Sequence, residues 1–101
     1  MLGMKFDDGK LSYSLLDRAA LAWTVATLTY GAVKYERNNW KNVEEWPDRY
    51  YDAAMRHLEA WRGGERYDPE NGLPHLAAAA CCVHFLLGLS EPDVSILPAK
   101  L

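Results

Sequence analysis

Residues 76–89 read Leu-Ala-Ala-Ala-Ala-Cys-Cys-Val-His-Phe-Leu-Leu-Gly-Leu, and His84 alone among them is polar. A run this apolar on every side predicts a central helix covered by protein all round. It falls short of the roughly 20 residues that a membrane span needs. The rest of the chain must therefore supply the cover. With 101 residues in total, that predicts one domain, 1–101, wrapped on one central helix. Pro74 suits the start of this helix and Ser90-Glu91-Pro92 its stop, giving 74–89. The alanine run 77–80 leaves room for close packing or for a cavity.

Two further helices are legible. In residues 15–37, Leu15, Ala19, Ala22, Ala26 and Thr29 or Tyr30 share one stripe at the 3.6-residue period, widened by Ala20, Trp23 and Thr27. Gly31 sits inside the pattern without ending it. A mid-helix glycine costs about 1 kcal/mol relative to alanine, so its return is a close approach by a backbone or a ligand. Arg37-Asn38-Asn39 reads as the stop. Pro47 and Asp48 then open a helix over 48–63, with Tyr50, Ala54, Leu58 and Trp61 as its stripe, Ala53, His57 and Ala60 beside it, and Gly63-Gly64 at its end. Residues 1–14 carry an Asp8-Gly9 turn signal with no third strand to pair with, so they are expected to form an arm over the helices. Residues 90–101 read as a tail docked through Ile96 and Leu97. The expected fold class is all-α, a compact bundle of three main helices with an N-terminal arm.

The net charge of −3 argues against a general nucleic-acid binder, while leaving room for a small anionic ligand held by two or three local cations. Four Trp and six Tyr are many for this length; they fill a core, line a pocket or meet a second copy, and a homo-oligomer is expected. Cys81 and Cys82 point about 100° apart on a helix, which disfavours a bond between them. Both read as small buried hydrophobes in a reducing compartment, and the protein as cytoplasmic.

The polar residues outside the central run admit three chemistries. Glu44, Glu45 and Asp48, with Asp68, resemble the helical carboxylate spacing that holds magnesium in all-α nucleotide hydrolases. Pro47 and the glycines at 63–64 place these acids in or beside loops, which weakens that reading. His57, His75 and Asp68 offer transition-metal ligands, with His84 and the cysteines nearby in sequence, although no pair has the spacing of a known zinc motif. The third chemistry is a pocket for a planar anion. Lys34, Arg56 and Lys10 would meet phosphates, Asn39, His57, His75 and Asp68 would hydrogen-bond a base or sugar, and Trp40, Tyr35 or Trp61 would stack. Gly72 stands in the same 64–74 loop, between Asp68 and His75. Any one of these residues alone is an ordinary surface charge or core aromatic; the argument is their clustering at helix ends and loops.

Several words taken together resemble a phage-borne family, the N-terminal domain of dATP/dGTP diphosphohydrolases. They are Lys5-Phe6-Asp7-Asp8-Gly9-Lys10, Gly31-Ala32-Val33-Lys34-Tyr35 with Asn39-Trp40, Arg56-His57-Leu58-Glu59-Ala60-Trp61, Gly64-Glu65 with Asp68, and Gly72-Leu73-Pro74-His75-Leu76-Ala77. The resemblance spans roughly residues 5–89. It implies an all-α domain handling purine nucleotides in phage metabolism or phage–host conflict. The chain departs from the family pattern in the third helix, where Ala78 stands for a histidine and Cys82 for an asparagine. Both changes remove polar groups one turn apart, which puts catalysis in doubt.

The expectation is therefore a protein that binds a purine nucleotide or nucleotide-derived signal through Lys10, Lys34, Tyr35, Asn39, Trp40, Arg56, His57, Trp61, Asp68, Gly72 and His75. It would sequester this ligand without cleavage and without a cofactor. The alternatives are a magnesium-dependent dATP/dGTP diphosphohydrolase using Glu44, Glu45, Asp48 and Asp68, and an oligomerisation module with no ligand. No nucleic-acid or membrane partner is expected.

Overall fold

The computed structural model describes residues 10–98. Three helices carry the fold: α1 (Arg18–Tyr35), α2 (Trp46–Arg62) and α3 (His75–Ser90). Short 3-10 turns stand at Tyr13–Leu15, Asn39–Asn42 and Val94–Ile96. Among the described residues there is no strand, only an isolated antiparallel bridge between Tyr67 and Pro74. The expected arm falls largely on residues 1–9, which lie outside the described residues, as do 99–101 of the tail.

The helix ends follow local chemistry. Asp17 caps α1, its carboxylate accepting the Ala20 N–H at 2.9 Å, so the helix begins after Leu15 rather than at it. Glu36 (φ 77°) and Asn38 (φ 65°) leave the helical region and end α1 two residues before the expected stop. Pro47 lies in the first turn of α2, one residue after its start at Trp46. At the other end the Gly63 N–H returns to the Glu59 carbonyl at 2.9 Å, and Gly64 takes a φ of 102° that glycine tolerates freely. Pro74 precedes α3 rather than opening it.

α3 packs against both other helices, most broadly against α2, while α1 and α2 make little contact with each other. The buried residues are Ala54 of α2 and His75, Ala77, Ala79, Cys81 and Cys82 of α3. Small side chains at the contact let the helix axes approach closely. The Cys81 thiol reaches the Thr24 carbonyl of α1 at 3.5 Å. On α1 the half-buried residues are Thr24, Ala26, Thr27, Leu28, Tyr30, Gly31 and Ala32, while Ala19 and Ala22 of the expected stripe, and Leu15 before the helix, are exposed. Threonine can occupy this face because Thr24 and Thr27 donate their hydroxyls to the Ala20 and Trp23 carbonyls, leaving methyl groups for packing.

α3 is central, but it is not covered on every side. Leu76, Val83 and Leu87 stand 42%, 53% and 61% exposed along one stripe. No residue of α1 is buried. In the tail, Ile96 and Leu97 are exposed rather than docked.

Candidate functional site

The site begins in the loop between α2 and α3. Asp68 accepts the Glu70 N–H on its side chain at 2.9 Å, and Asn71 accepts the Leu73 N–H at 2.9 Å. These are two Asx turns in a row. Backbone bonds close the loop around them: Asp68 N–H to Leu73 carbonyl (2.8 Å), Gly72 N–H to Asp68 carbonyl (2.7 Å) and His75 N–H to Arg66 carbonyl (3.0 Å). Gly72 supplies the left-handed residue that the turn requires, with φ 72°. The Asp68 carboxylate is thereby held in place by its own backbone.

This loop sets Asp68 beside two imidazoles. The His57 Nδ1 of α2 lies 2.8 Å from the His75 Nδ1 at the start of α3. The other His75 nitrogen, Nε2, lies 2.6 Å from a Glu65 carboxylate oxygen. A carboxylate only accepts, so the His75 Nε2–H donates to Glu65, and its Nδ1 faces the His57 Nδ1. One ligand atom from each of His57, Asp68 and His75 lies within 4.8 Å of the other two. His75 is 5% exposed and its buried nitrogens are both partnered. Burial pushes the His57 pKa below its ordinary value, and the neighbouring His75 adds to the push, so the neutral imidazole is favoured there.

His57 and Asp68 also line an open cavity of about 680 Å³ between α1, the Asn39–Asn42 turn, α2, α3 and the loop. Its other walls include Lys34, Tyr35, Asn39, Trp40, Arg56 and Ala78. Gly31 lines it too, and a Cβ built there would meet nothing within 4 Å. The glycine in α1 therefore opens space, rather than admitting another backbone. Lys34 does not stand free: its ammonium pairs with Glu70 at 2.8 Å and lies 5.0 Å from the Tyr35 ring centre. The Glu70 hydrogen bond, then Tyr35, raise the Lys34 pKa.

Of the sequence candidates, Lys34, Tyr35, Asn39, Trp40, Arg56, His57 and Asp68 share this cavity, and His75 stands directly behind His57. Trp40 is already engaged, stacked on Phe85 with ring centres 4.9 Å apart and 3.4 Å from where a Gly88 Cβ would be. Its carbonyl accepts the Tyr50 hydroxyl at 2.8 Å. Trp61 lies elsewhere, in a second hollow with Trp23, Leu76 and Ala80. Lys10 is exposed and lines neither hollow, and Gly72 acts through the turn alone. Glu44, Glu45 and Asp48 do not join Asp68. They are exposed at the start of α2, and Asp48 is nine residues before His57, roughly 14 Å along the helix. Among the described residues the metal-competent group is His57, Asp68 and His75 instead.

Sequence reasoning missed Glu65 as the partner of His75 and Glu70 as the partner of Lys34. The signal for Glu65 is the word Gly64-Glu65 with Asp68, which sets an acid three residues before a candidate ligand without naming its partner. Nothing in the sequence pairs Glu70 with a lysine thirty-six positions earlier.

The chain matches the family model described as dATP/dGTP diphosphohydrolase, N-terminal, over residues 2–96. A relative named dATP/dGTP diphosphohydrolase, from Salmonella phage PMBT28, is 36% identical over 89 residues, covering 88% of this chain and 30% of the relative. The chain thus spans under a third of that protein's length. No solved structure matches. With the family model covering nearly its whole length, the chain belongs to the dATP/dGTP diphosphohydrolase N-terminal domain family.

Proposed function

We propose that this domain binds a purine nucleotide, or a small molecule derived from one, in the cavity between α1, α2 and the 64–74 loop. The ligand is held without being cleaved. The observation that carries this reading is the convergence of Lys34, Arg56, Asn39, His57 and Asp68 on one cavity of about 680 Å³, a size that suits such a ligand. Arg56 and Lys34 meet phosphates, the arginine through its forked donors and the lysine as a point charge. Asn39, Asp68 and His57 offer the donors and acceptors that a base or ribose needs. The relative's name supports a purine deoxynucleotide as the ligand class, and its origin a phage setting, where holding a host nucleotide signal is an anti-defence role.

Cleavage by a magnesium-dependent diphosphohydrolase is the competing reading, and it draws on the same relative's name. Glu44, Glu45 and Asp48 stand exposed at the start of α2, apart from Asp68, and that separation favours the sequestration reading. A second copy of this chain is the proposed cover for the Leu76, Val83 and Leu87 stripe. The stripe carries no charged residue, and an apolar helix face can meet its own copy across a two-fold axis.

The test is incubation with dGTP, dATP, cyclic dinucleotides and ADP-ribose-type nucleotides, with and without magnesium, followed by desalting and heat denaturation. Intact nucleotide released only on denaturation supports sequestration. Monophosphate and pyrophosphate appearing before denaturation support hydrolysis. Retention of no nucleotide under any condition overturns both.

A further inference from the structure

The two histidines and the aspartate on the cavity wall have an arrangement that nucleotide binding alone does not require. Two imidazole nitrogens 2.8 Å apart share one hydrogen bond here, and with a carboxylate beside them they are also grouped as the ligands of one ion would be. His75 is buried, and its Nε2–H is committed to Glu65 at 2.6 Å. That bond holds the ring in place and leaves Nδ1 facing His57, with Asp68 beside the pair. A carboxylate behind a histidine is the usual support for a metal-ligating imidazole. Asp68 is independently held by its Asx turn, so the third donor is also placed before any ligand arrives.

We propose that His57, Asp68 and His75 form a binding site for one divalent first-row transition cation, of which zinc is the reference case, with Glu65 as its supporting outer carboxylate. Zinc holds imidazole nitrogen and carboxylate oxygen at roughly 2.0–2.2 Å, which puts ligand atoms roughly 3–4 Å apart. The three donors already lie within 4.8 Å of one another. His57 and Asp68 are each partly exposed, and small side-chain rotations bring them to that spacing. Two neutral imidazoles and one carboxylate suit zinc, manganese, iron or cobalt better than magnesium, which favours an oxygen shell. On binding, the ion replaces the proton shared between the two Nδ1 atoms, and the His57 proton resides on its Nε2.

Three protein ligands leave at least one coordination position open. His57 and Asp68 line the cavity, so that position faces it. A phosphate oxygen there would gain an anchor beside Arg56; this last step rests on the nucleotide reading, whereas the ion site does not.

The experiment uses untagged full-length chain, stripped with chelator and titrated with zinc by calorimetry, and with cobalt followed by its visible d–d absorption. One ion per chain is expected, with a cobalt spectrum showing nitrogen and oxygen ligation. His57→Gln and Asp68→Asn should each abolish stoichiometric binding while keeping the helical circular dichroism. Both residues are partly exposed, so neither change opens the core. Glu65→Gln should weaken zinc by about 10- to 100-fold, as outer-shell changes do. Absence of stoichiometric binding by the wild-type chain, or unaltered binding in both ligand variants, overturns the site. The nucleotide retention assay, run on stripped and loaded protein, separates the two ideas. Zinc bound without retained nucleotide overturns the nucleotide reading alone, and nucleotide retained by a chain that binds no ion overturns the ion site alone.

Discussion

The Lys34 ammonium on α1 lies 2.8 Å from the Glu70 carboxylate in the loop before α3, bridging two walls of the cavity. The loop is built from its own Asx turns, so Glu70 is presented at a fixed place. A phosphate entering the cavity competes with Glu70 for Lys34. Glu70→Gln should therefore tighten a phosphate-bearing nucleotide several-fold and steepen the salt dependence, since a freed ammonium gains an anionic partner. Lys34→Gln should weaken it by a similar factor. Calorimetry at low and moderate salt reads both; unchanged affinity in Lys34→Gln would remove Lys34 from the site.

Gly31 gives a prediction in which stability and binding diverge. It lies inside α1 with a helical φ, and a Cβ added there meets nothing within 4 Å. Gly31→Ala should stabilise the chain by about 1 kcal/mol, because alanine loses less backbone freedom in a helix. Gly31→Leu should keep the fold and reduce nucleotide retention, because its side chain enters the cavity. Urea unfolding and the release assay measure the two effects. Undiminished retention in Gly31→Leu would show that the ligand does not pass over this part of α1.

These residues also show how far the sequence could be read. The apolar period and the Pro and Gly punctuation placed three helices, because those signals are local. The face of α1 was legible in part: Ala26, Thr27 and Tyr30 of the expected stripe are half-buried, Ala19 and Ala22 are not, and Thr24 joins the face because its hydroxyl is bonded to the preceding turn. His57 and His75 were singled out, yet their meeting at 2.8 Å depends on how α2 and α3 pack, which no spacing along the chain encodes. Trp40 reads from the sequence as a stacking platform for a ligand. The fold stacks its ring on Phe85 of α3, a contact that depends on how the Asn39–Asn42 turn packs against that helix.

Cys81 and Cys82 should behave as core residues rather than reactive thiols. Burial raises the Cys81 pKa from 9.0 to about 11, with Cys82 adding to it, and burial raises Cys82 as well. The folded state thus holds a proton that the unfolded chain releases above its ordinary value. Stability should be insensitive to these groups below pH 9 and should fall as pH rises from 9 toward 11. A disulfide-exchange reagent at pH 8 should label neither thiol until denaturant unfolds the chain. Rapid stoichiometric labelling of the native protein would contradict the packing of α3 between its neighbours.

The exposed stripe on α3 leads to the remaining prediction. Leu76, Val83 and Leu87 project from one face of the helix that also carries most of the buried residues, and Trp23 and Trp61 flank its start at 48% and 44% exposure. Contiguous apolar surface of this kind is uncommon on a monomer in water and marks an interaction face. The stripe runs along the side of α3 that carries Ala80, and the cavity lies on the side that carries Ala78, so association need not obstruct the ligand. Sedimentation equilibrium should give at least twice the chain mass. Val83→Glu and Leu87→Glu should each shift the protein to monomer, because pairing two copies would bury unpartnered carboxylates against each other. Helical content and nucleotide retention should survive in both variants. A wild-type chain that sediments as a monomer at high micromolar concentration would show that this face is not covered by a second copy.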